Sequence, residues 1–116
     1  MHKPYYEIVA YRVHFYGRSQ HSVDRDQRAA IFLIGKDEPP TGPVVGRIYF
    51  YAPEVADRKQ DRRDEEGRLE GHLSSTELDA VLDMLRFEKP IKLYWDDTTD
   101  RLSLETGLEP AGEHDV

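Results

Sequence analysis

Apolar and polar residues alternate in two stretches that are rich in aromatic and β-branched side chains. Residues 5–16, YYEIVAYRVHFY, and residues 44–52, VVGRIYFYA, combine this composition with alternation, which predicts two strands. Between them, AAIFLIGK at 29–36 is a continuous apolar run of strand length, which predicts a strand covered on both faces. Polar residues at 17–28 and a proline-containing turn at 37–43 separate the three, so this order predicts an antiparallel meander.

A fourth strand and a helix are predicted in the second half of the chain. RLEGHL at 68–73 alternates and predicts a strand that returns antiparallel beside 44–52. Ser74 stands three residues before Glu77, which is the spacing of a capping box. Beyond it, apolar residues recur at i, i+3, i+4 and i+7, the stripe of an amphipathic helix. The spacing predicts a helix over 75–87.

The remaining segments carry little apolar surface. Residues 54–66 have mixed charge and almost nothing to bury, so ordering entropy opposes a fixed conformation and a flexible, solvated loop is predicted. The tail at 109–116 is polar and is expected to fray. The length of the chain predicts one domain over 1–116.

The aspartate-rich stretch within IKLYWDDTTDRLSLE, residues 91–105, has acidic residues at a spacing that suggests a metal site. Asp96, Thr98 and Asp100 stand at the first, third and fifth positions of an EF-type calcium loop. Such a loop needs glycine at the sixth position and glutamate at the twelfth, and these positions hold Arg101 and Gly107. Apolar alternation resumes on both sides of the aspartates, whose side chains stabilise turns. We interpret the stretch as a hairpin with a polar tip, and not as a metal or catalytic site.

These elements predict a mainly β (α+β) fold with the order β-β-β-β-α-β-β. We expect the meander to curl into a small barrel or half-barrel with the helix over one open end. The 116 residues include no cysteine, which excludes disulfides and thiol chemistry. No apolar run reaches the length of a signal peptide or a membrane span, so a soluble, cytoplasmic protein is expected.

Charge and motifs limit the function classes. The formal net charge of −7 makes nucleic acid and anionic membranes poor partners. The sequence has no nucleophile elbow, no phosphate-binding glycine loop and no H-E-x-x-H pair, and its histidines are scattered. We therefore expect no enzyme activity, no cofactor and no bound metal.

One constellation of side chains stands out on the predicted strands. Opposite the apolar positions, period-two spacing places a tyrosine-rich and basic set, which we expect to gather on one outer face. This set comprises Arg12, His14, Tyr16, Arg47, Tyr49, Tyr51, Lys92 and Tyr94. Tyrosine and arginine are enriched at interaction hot spots, and aromatic rings also stack on planar ligands.

Three interpretations of this face stay open. The tyrosines could simply cover a well-packed sheet, form a homodimer or protein–protein surface, or serve as a platform for an anionic or aromatic ligand such as single-stranded nucleic acid. Of the partners, a second copy is favoured over a foreign protein because twofold self-association is the commonest assembly. The sequence favours a non-catalytic binding or assembly domain, and the alternative is a small-ligand-binding barrel or an enzyme whose site no motif marks.

Overall fold

The computed structural model describes residues 5–17, 27–36, 44–65 and 67–107 of the chain. Within these ranges the protein is mainly β, as predicted, with one sheet of seven strands and one long helix. The strands and helices are β1 Tyr5–Phe15, β2 Gln27–Gly35, β3 Val44–Tyr51, α1 Pro53–Ala56, β4 Arg62–Arg63, β5 Leu69–Ser74, α2 Leu78–Phe87, β6 Ile91–Asp96 and β7 Arg101–Thr106. No helix in the described ranges is both long and apolar enough to cross a membrane.

The sheet is mixed, with the strand order β4-β5-β3-β2-β1-β6-β7. β1, β2 and β3 form the predicted antiparallel meander, and β6 and β7 are added beyond β1. β5 runs parallel to β3, in a register that joins Gly46 to Leu69 and Tyr51 to Ser74. The predicted antiparallel return of residues 68–73 is therefore wrong. α1 and β4 carry the chain back to the start of β3 first, which is the crossover that a parallel neighbour needs.

The charged segment predicted as a loop at 54–66 contains most of α1 and all of β4 in its described part. Arg62 on β4 forms an ion pair with Glu70, with 2.7 Å between Nε and Oε2. Asp64 accepts hydrogen bonds from the backbone N–H and from Nε of Arg68, at 2.9 and 3.0 Å. The mobility of this segment stays a prediction. The tail predicted to fray, 109–116, lies outside the described residues.

Apolar residues from the strands gather on one face of the sheet, which we call the inner face and which α2 covers. Leu82 on α2 is buried in this core, and Leu78 and Leu85 pack against its border. The buried core cluster comprises Ala29, Ile31, Leu33, Val45, Ile48, Phe50, Leu69, Leu82, Leu93 and Trp95. The period-two pattern of the strands and the stripe of the helix thus meet in one core.

The helical segment occupies the predicted residues 75–87. A 3-10 turn at Ser75–Glu77 leads into α2, which ends at Phe87. Ser74 is the N-cap, and its Oγ accepts a hydrogen bond from the backbone N–H of Thr76 at 3.2 Å. This bond satisfies one of the donors that the first turn of a helix leaves without a partner.

The sheet curls strongly but is not closed into a barrel. Gly46 on β3 and Leu93 on β6 lie three strands apart, yet a Cβ built on Gly46 would be 2.5 Å from Cδ2 of Leu93. At the seam between β5 and β7, the carboxylate of Asp61 accepts the backbone N–H groups of His72 and Leu102, at 2.9 and 3.0 Å. No strand ladder in the described part of the chain joins these two strands.

The aspartate-rich stretch forms the tip of the β6–β7 hairpin, as predicted. Oδ1 of Asp96 accepts the backbone N–H of Thr98 at 2.9 Å, so the side chain stabilises the turn. Asp100 closes the turn with φ of 52°, a left-handed conformation in which aspartate is enriched.

Candidate functional site

The face of the sheet opposite α2, here called the outer face, is organised in rows because neighbouring strands pair in register. One row crosses five strands, each residue being the Cα partner of the next: Arg62, Glu70, Arg47, Phe32 and Arg12. Charges of alternating sign therefore lie side by side on β4, β5 and β3, and an aromatic ring separates them from Arg12.

A second row lies beside the first. His72 on β5 pairs with Tyr49 on β3, Tyr49 pairs with Ala30 on β2, and Ala30 pairs with His14 on β1. Ala30 is fully buried although its side chain is on the outer face, so large neighbours cover it. The small alanine leaves space between Tyr49 and His14.

A cleft of about 620 Å³ opens on the outer face above these rows. It is lined mainly by polar and aromatic side chains from β2, β3, β4 and β5, from the residue after β1 and from the segment before β4. The lining residues are Tyr16, Gln27, Phe32, Arg47, Tyr49, Tyr51, Gln60, Arg62, Glu70 and His72.

Six of the eight residues singled out from the sequence lie in or beside this cleft. Tyr16, Arg47, Tyr49 and Tyr51 line it. The ring of His14 lies at its edge, with centroids 4.8 Å from Phe32 and 6.2 Å from Tyr16. Arg12 is exposed and is the Cα partner of Phe32 at the end of the first row.

Lys92 and Tyr94 are not brought to the cleft. β6 pairs only with the first part of β1, where Lys92 is the partner of Glu7 and Tyr94 is the partner of Tyr5. The cleft adjoins the other end of β1, at Tyr16. The eight residues therefore do not form one continuous site.

Aromatic packing inside the chain covers part of the tyrosine set. The imidazole ring of His72 lies 5.8 Å from the Tyr49 ring and 5.9 Å from the Tyr51 ring, with interplanar angles of 31° and 27°. Nζ of Lys59 lies 4.9 Å from the centroid of Tyr51, within range of a cation–π interaction. As a result Tyr51 is only 6% exposed. Its flat face is used within the chain.

The ionic groups of the cleft differ in how well they are compensated. The carboxylate of Glu70 is buried and receives two hydrogen bonds from Arg62, at 2.7 Å from Nε and 3.3 Å from Nη2. Arg47 is half-buried, and its single hydrogen bond to a described residue runs from Nη1 to Oη of Tyr49, at 3.3 Å. Arg47 forms no ion pair with any carboxylate in the described ranges.

Three pKa values are raised in this arrangement, and that of Arg62 is raised by its hydrogen bond to Glu70. The hydrogen bond to Tyr49 raises the pKa of Arg47 above its ordinary value, against the opposing effect of burial. Burial raises the pKa of Tyr16, and the nearby Tyr49 adds to this. At neutral pH Arg47 is therefore a fixed cation and Tyr16 keeps its hydroxyl proton as a donor.

His72 connects the cleft to the seam of the sheet. Its ring lines the cleft, and its buried Nδ1 lies 3.6 Å from Oδ1 of Asp61 without a hydrogen-bond partner. The same Asp61 oxygen accepts the backbone N–H of His72. No group of three or more histidine, aspartate or glutamate side chains in the described ranges is arranged to hold a metal.

Several cleft residues were missed from the sequence. Glu70 and His72 alternate with the buried Leu69 and Gly71, so period two on β5 was a usable signal for them. Arg62 sits in a segment where almost every residue is charged, and nothing local distinguishes it. Comparisons of the chain with protein-family models, with curated proteins and with solved structures found no match. Its function must therefore be inferred from the chemistry of the cleft.

Proposed function

We propose that the protein is a non-catalytic binding domain whose outer-face cleft takes a small organic anion with a flat apolar body. The proposal rests on the unused hydrogen-bond donors of Arg47. A guanidinium has five N–H donors, and in the described part of the chain only one of them is used, on the neutral hydroxyl of Tyr49. A half-buried cation with free donors at the wall of a cleft favours a carboxylate or phosphate ligand.

The charge balance of the cleft supports an anion even though the whole chain is acidic. Of the two arginines that line it, Arg62 is held by Glu70, the one carboxylate among the lining residues. Arg47 has no carboxylate within ion-pair distance in the described ranges, although Glu70 and Asp64 are close enough to help raise its pKa. Tyr16 adds a hydroxyl donor, since tyrosine is protonated at neutral pH and the pKa of Tyr16 is raised further by burial. Donors of this kind around one cation can hold both oxygens of an anionic head group.

The size and walls of the cleft support a small ligand with a planar part. Its volume of about 620 Å³ falls within the usual range of small-molecule sites. Phe32 and Tyr49 supply aromatic surface beside Arg47. Such rings bind planar apolar groups by stacking or edge contacts.

The same geometry argues against a protein–protein surface at this face. An interface of that kind needs a broad aromatic area that is free before the partner arrives. Tyr51 is instead covered by Lys59 and His72, and Tyr49 is half-buried. Concave walls with converging polar groups are the features of a ligand site.

A ring-matched set of probes tests the charge preference directly. Naphthoate, naphthamide and naphthylmethylamine share one ring system and differ in the charge of the head group. Two-dimensional amide NMR should show naphthoate binding most tightly, with shifts in β3 and β5 around Arg47 and His72. The proposal is wrong if the neutral or cationic probe binds as tightly, or if the shifts map elsewhere.

Substitution of Arg47 tests the residue that carries the proposal. Arg47→Met should weaken naphthoate binding by roughly tenfold, because a charge-assisted hydrogen bond contributes about 1.5–3 kcal/mol. Binding of naphthamide should change much less. Arg86→Met is the matched control, since Arg86 is an exposed arginine on α2. Equal effects of the two substitutions would contradict the assignment.

A further inference from the structure

β1 has one edge that is only half paired. β2 pairs with β1 from Ile8 to Phe15, with a bulge between Ile8 and Ala10. On the other side, β6 pairs only with Tyr5 to Ile8. Residues 9–15 therefore have a sheet neighbour on one side and none on the other within the described part of the chain. We call this side of residues 9–15 the open edge.

The backbone groups of the open edge alternate in direction. The N–H of Tyr16 donates to the carbonyl of Arg28 on β2, at 3.0 Å. Since successive residues of a strand point their N–H and C=O groups to opposite sides, those of Tyr11, Val13 and Phe15 point away from β2. No backbone hydrogen bond between described residues uses them on that side. A strand placed there would find three residues ready to pair.

An exposed aromatic side chain and a partly apolar cavity lie at opposite ends of the open edge. Phe15 ends β1 and is 69% exposed, although it lies on the inner-face side with Tyr11 and Val13. A cavity of about 640 Å³ lies where β6 begins, between β1 and the end of α2. Its walls include the apolar side chains of Ile8, Tyr11, Leu85 and Pro90 together with the charged residues Glu7, Glu88 and Lys89. One molecule thus carries both a protruding ring and a cavity with apolar walls beside Tyr11 that could receive one.

We propose that two copies of this chain pair antiparallel through their open edges, with Phe15 of each copy seated beside Tyr11 at the cavity of the other. A twofold axis at Val13 produces this arrangement. It sets Val13 opposite Val13, Tyr11 opposite Phe15 and Arg12 opposite His14. The interface is self-complementary, as a twofold dimer requires, and it extends the sheet by strand addition.

The backbone allows several registers, and charge favours this one over the register with its axis at Arg12. Residues 11, 13 and 15 are the ones whose N–H and C=O groups face the open edge, so they must form the hydrogen-bonded pairs. A twofold axis at Arg12 would oppose two arginines in the closer, non-hydrogen-bonded position, which is destabilising. With the axis at Val13, Gly17 reaches the position opposite Val9, where the absence of a side chain leaves room beside β6.

This inference is independent of the proposed ligand site. Phe15 and the cavity lie on the inner-face side of β1, and the cleft with Arg47 lies on the outer face. Either one can fail without the other.

Sedimentation velocity over a range of concentrations tests the association. The wild type should form dimers at high micromolar concentration, and Phe15→Glu should raise the dimer Kd by roughly tenfold or more. Ala80→Glu is the control, because Ala80 is exposed near the start of α2, away from the cavity wall that Leu85 helps to form. A strictly monomeric wild type overturns the inference. So does an Ala80→Glu effect as large as that of Phe15→Glu.

Disulfide trapping tests the register and does not depend on how Phe15→Glu folds. The chain has no cysteine of its own, and both Arg12 and His14 are exposed. Opposite residues in a non-hydrogen-bonded pair lie about 4.5 Å apart at Cα, a distance that suits a disulfide. A mixture of Arg12→Cys and His14→Cys chains should form the mixed disulfide faster than either variant links to itself. Faster self-linking of Arg12→Cys would place the axis at Arg12 and contradict the proposed register.

Discussion

The inner and outer faces of the sheet differ in what specifies them. On the inner face, each apolar position follows from period two along its own strand, and the stripe of α2 faces the same core. On the outer face, the side chains that meet in the cleft come from strands far apart in sequence. Arg62, Arg47 and Tyr16 become neighbours only through the strand order and register. Local pattern therefore determines the core, and topology determines the candidate site.

This difference has an energetic counterpart. The inner face excludes water, so a charge placed there costs several kcal/mol. The outer face keeps its charges near solvent and balances them by pairs such as Arg62 with Glu70. We expect substitutions on the inner face to change stability. Most substitutions on the outer face should change binding.

Leu82→Asp should have the largest effect. It places a carboxylate in the core cluster under α2 and removes a buried leucine, so the free energy of unfolding should fall by about 4 kcal/mol or more. Ala80→Asp puts the same group on the exposed side of the same helix and should change it little. Urea denaturation followed by circular dichroism measures both. Similar midpoints for the two variants would show that the helix faces are misassigned.

Asp61→Ala should have the second-largest effect on stability, and it tests the seam between β5 and β7. The substitution leaves the backbone N–H groups of His72 and Leu102 without their acceptor, at about 1 kcal/mol each, so a loss of about 2 kcal/mol is expected. Asp57→Ala is the control, since it removes an exposed aspartate from the same charged segment. Equal stability of the two variants would mean that Asp61 does not hold the seam together.

The sequence predicted the strands of the meander and the helix at 75–87 because their signals are local. The direction of β5 was not predictable in this way. The alternation of apolar and polar residues is the same in a parallel strand as in an antiparallel one. The segment that connects β3 to β5 is charged and has no apolar periodicity that would predict a crossover. The sequence also gave no signal for the half-paired edge of β1, which depends on where β6 begins.

The candidate site divides in the same manner. Arg47, Tyr49 and Tyr51 share one strand, so period two was enough to group them, and they do line one cleft. Lys92 and Tyr94 lie on a strand that pairs with the other end of β1, and no spacing within β6 shows that.

Ser74→Ala should have a smaller effect than either substitution above. The serine Oγ caps the turn before α2 by accepting the N–H of Thr76, and loss of such a cap costs about 1 kcal/mol. Ser75→Ala, one residue further along, removes a hydroxyl from the first residue of the turn and is the control. A larger loss for Ser75→Ala would show that the cap is misplaced by one residue.

Tyr16→Phe should have the smallest effect on stability, and this effect should change with pH only in the alkaline range. Burial raises the pKa of Tyr16 in the folded chain, so above about pH 10, the ordinary tyrosine value, the unfolded chain releases this proton while the folded chain retains it. The unfolded state then binds fewer protons, and stability falls as pH rises. The variant lacks this group. The stability of the wild type relative to Tyr16→Phe should therefore be constant near neutral pH and decrease above about pH 10.

The size of that decrease should be modest because Tyr16 is 40% exposed and solvent screens its surroundings. Urea midpoints of both chains at several pH values measure it, and the titration of other groups cancels in the difference. A difference that does not vary with pH would mean that the Tyr16 hydroxyl ionises as easily in the fold as in the unfolded chain. It would then be in open water rather than at the wall of the cleft. A decrease in relative stability above pH 10 would support the placement of Tyr16 at the wall of the cleft. Arg47 lines the same cleft, so the Tyr16 hydroxyl could donate to an anion bound there.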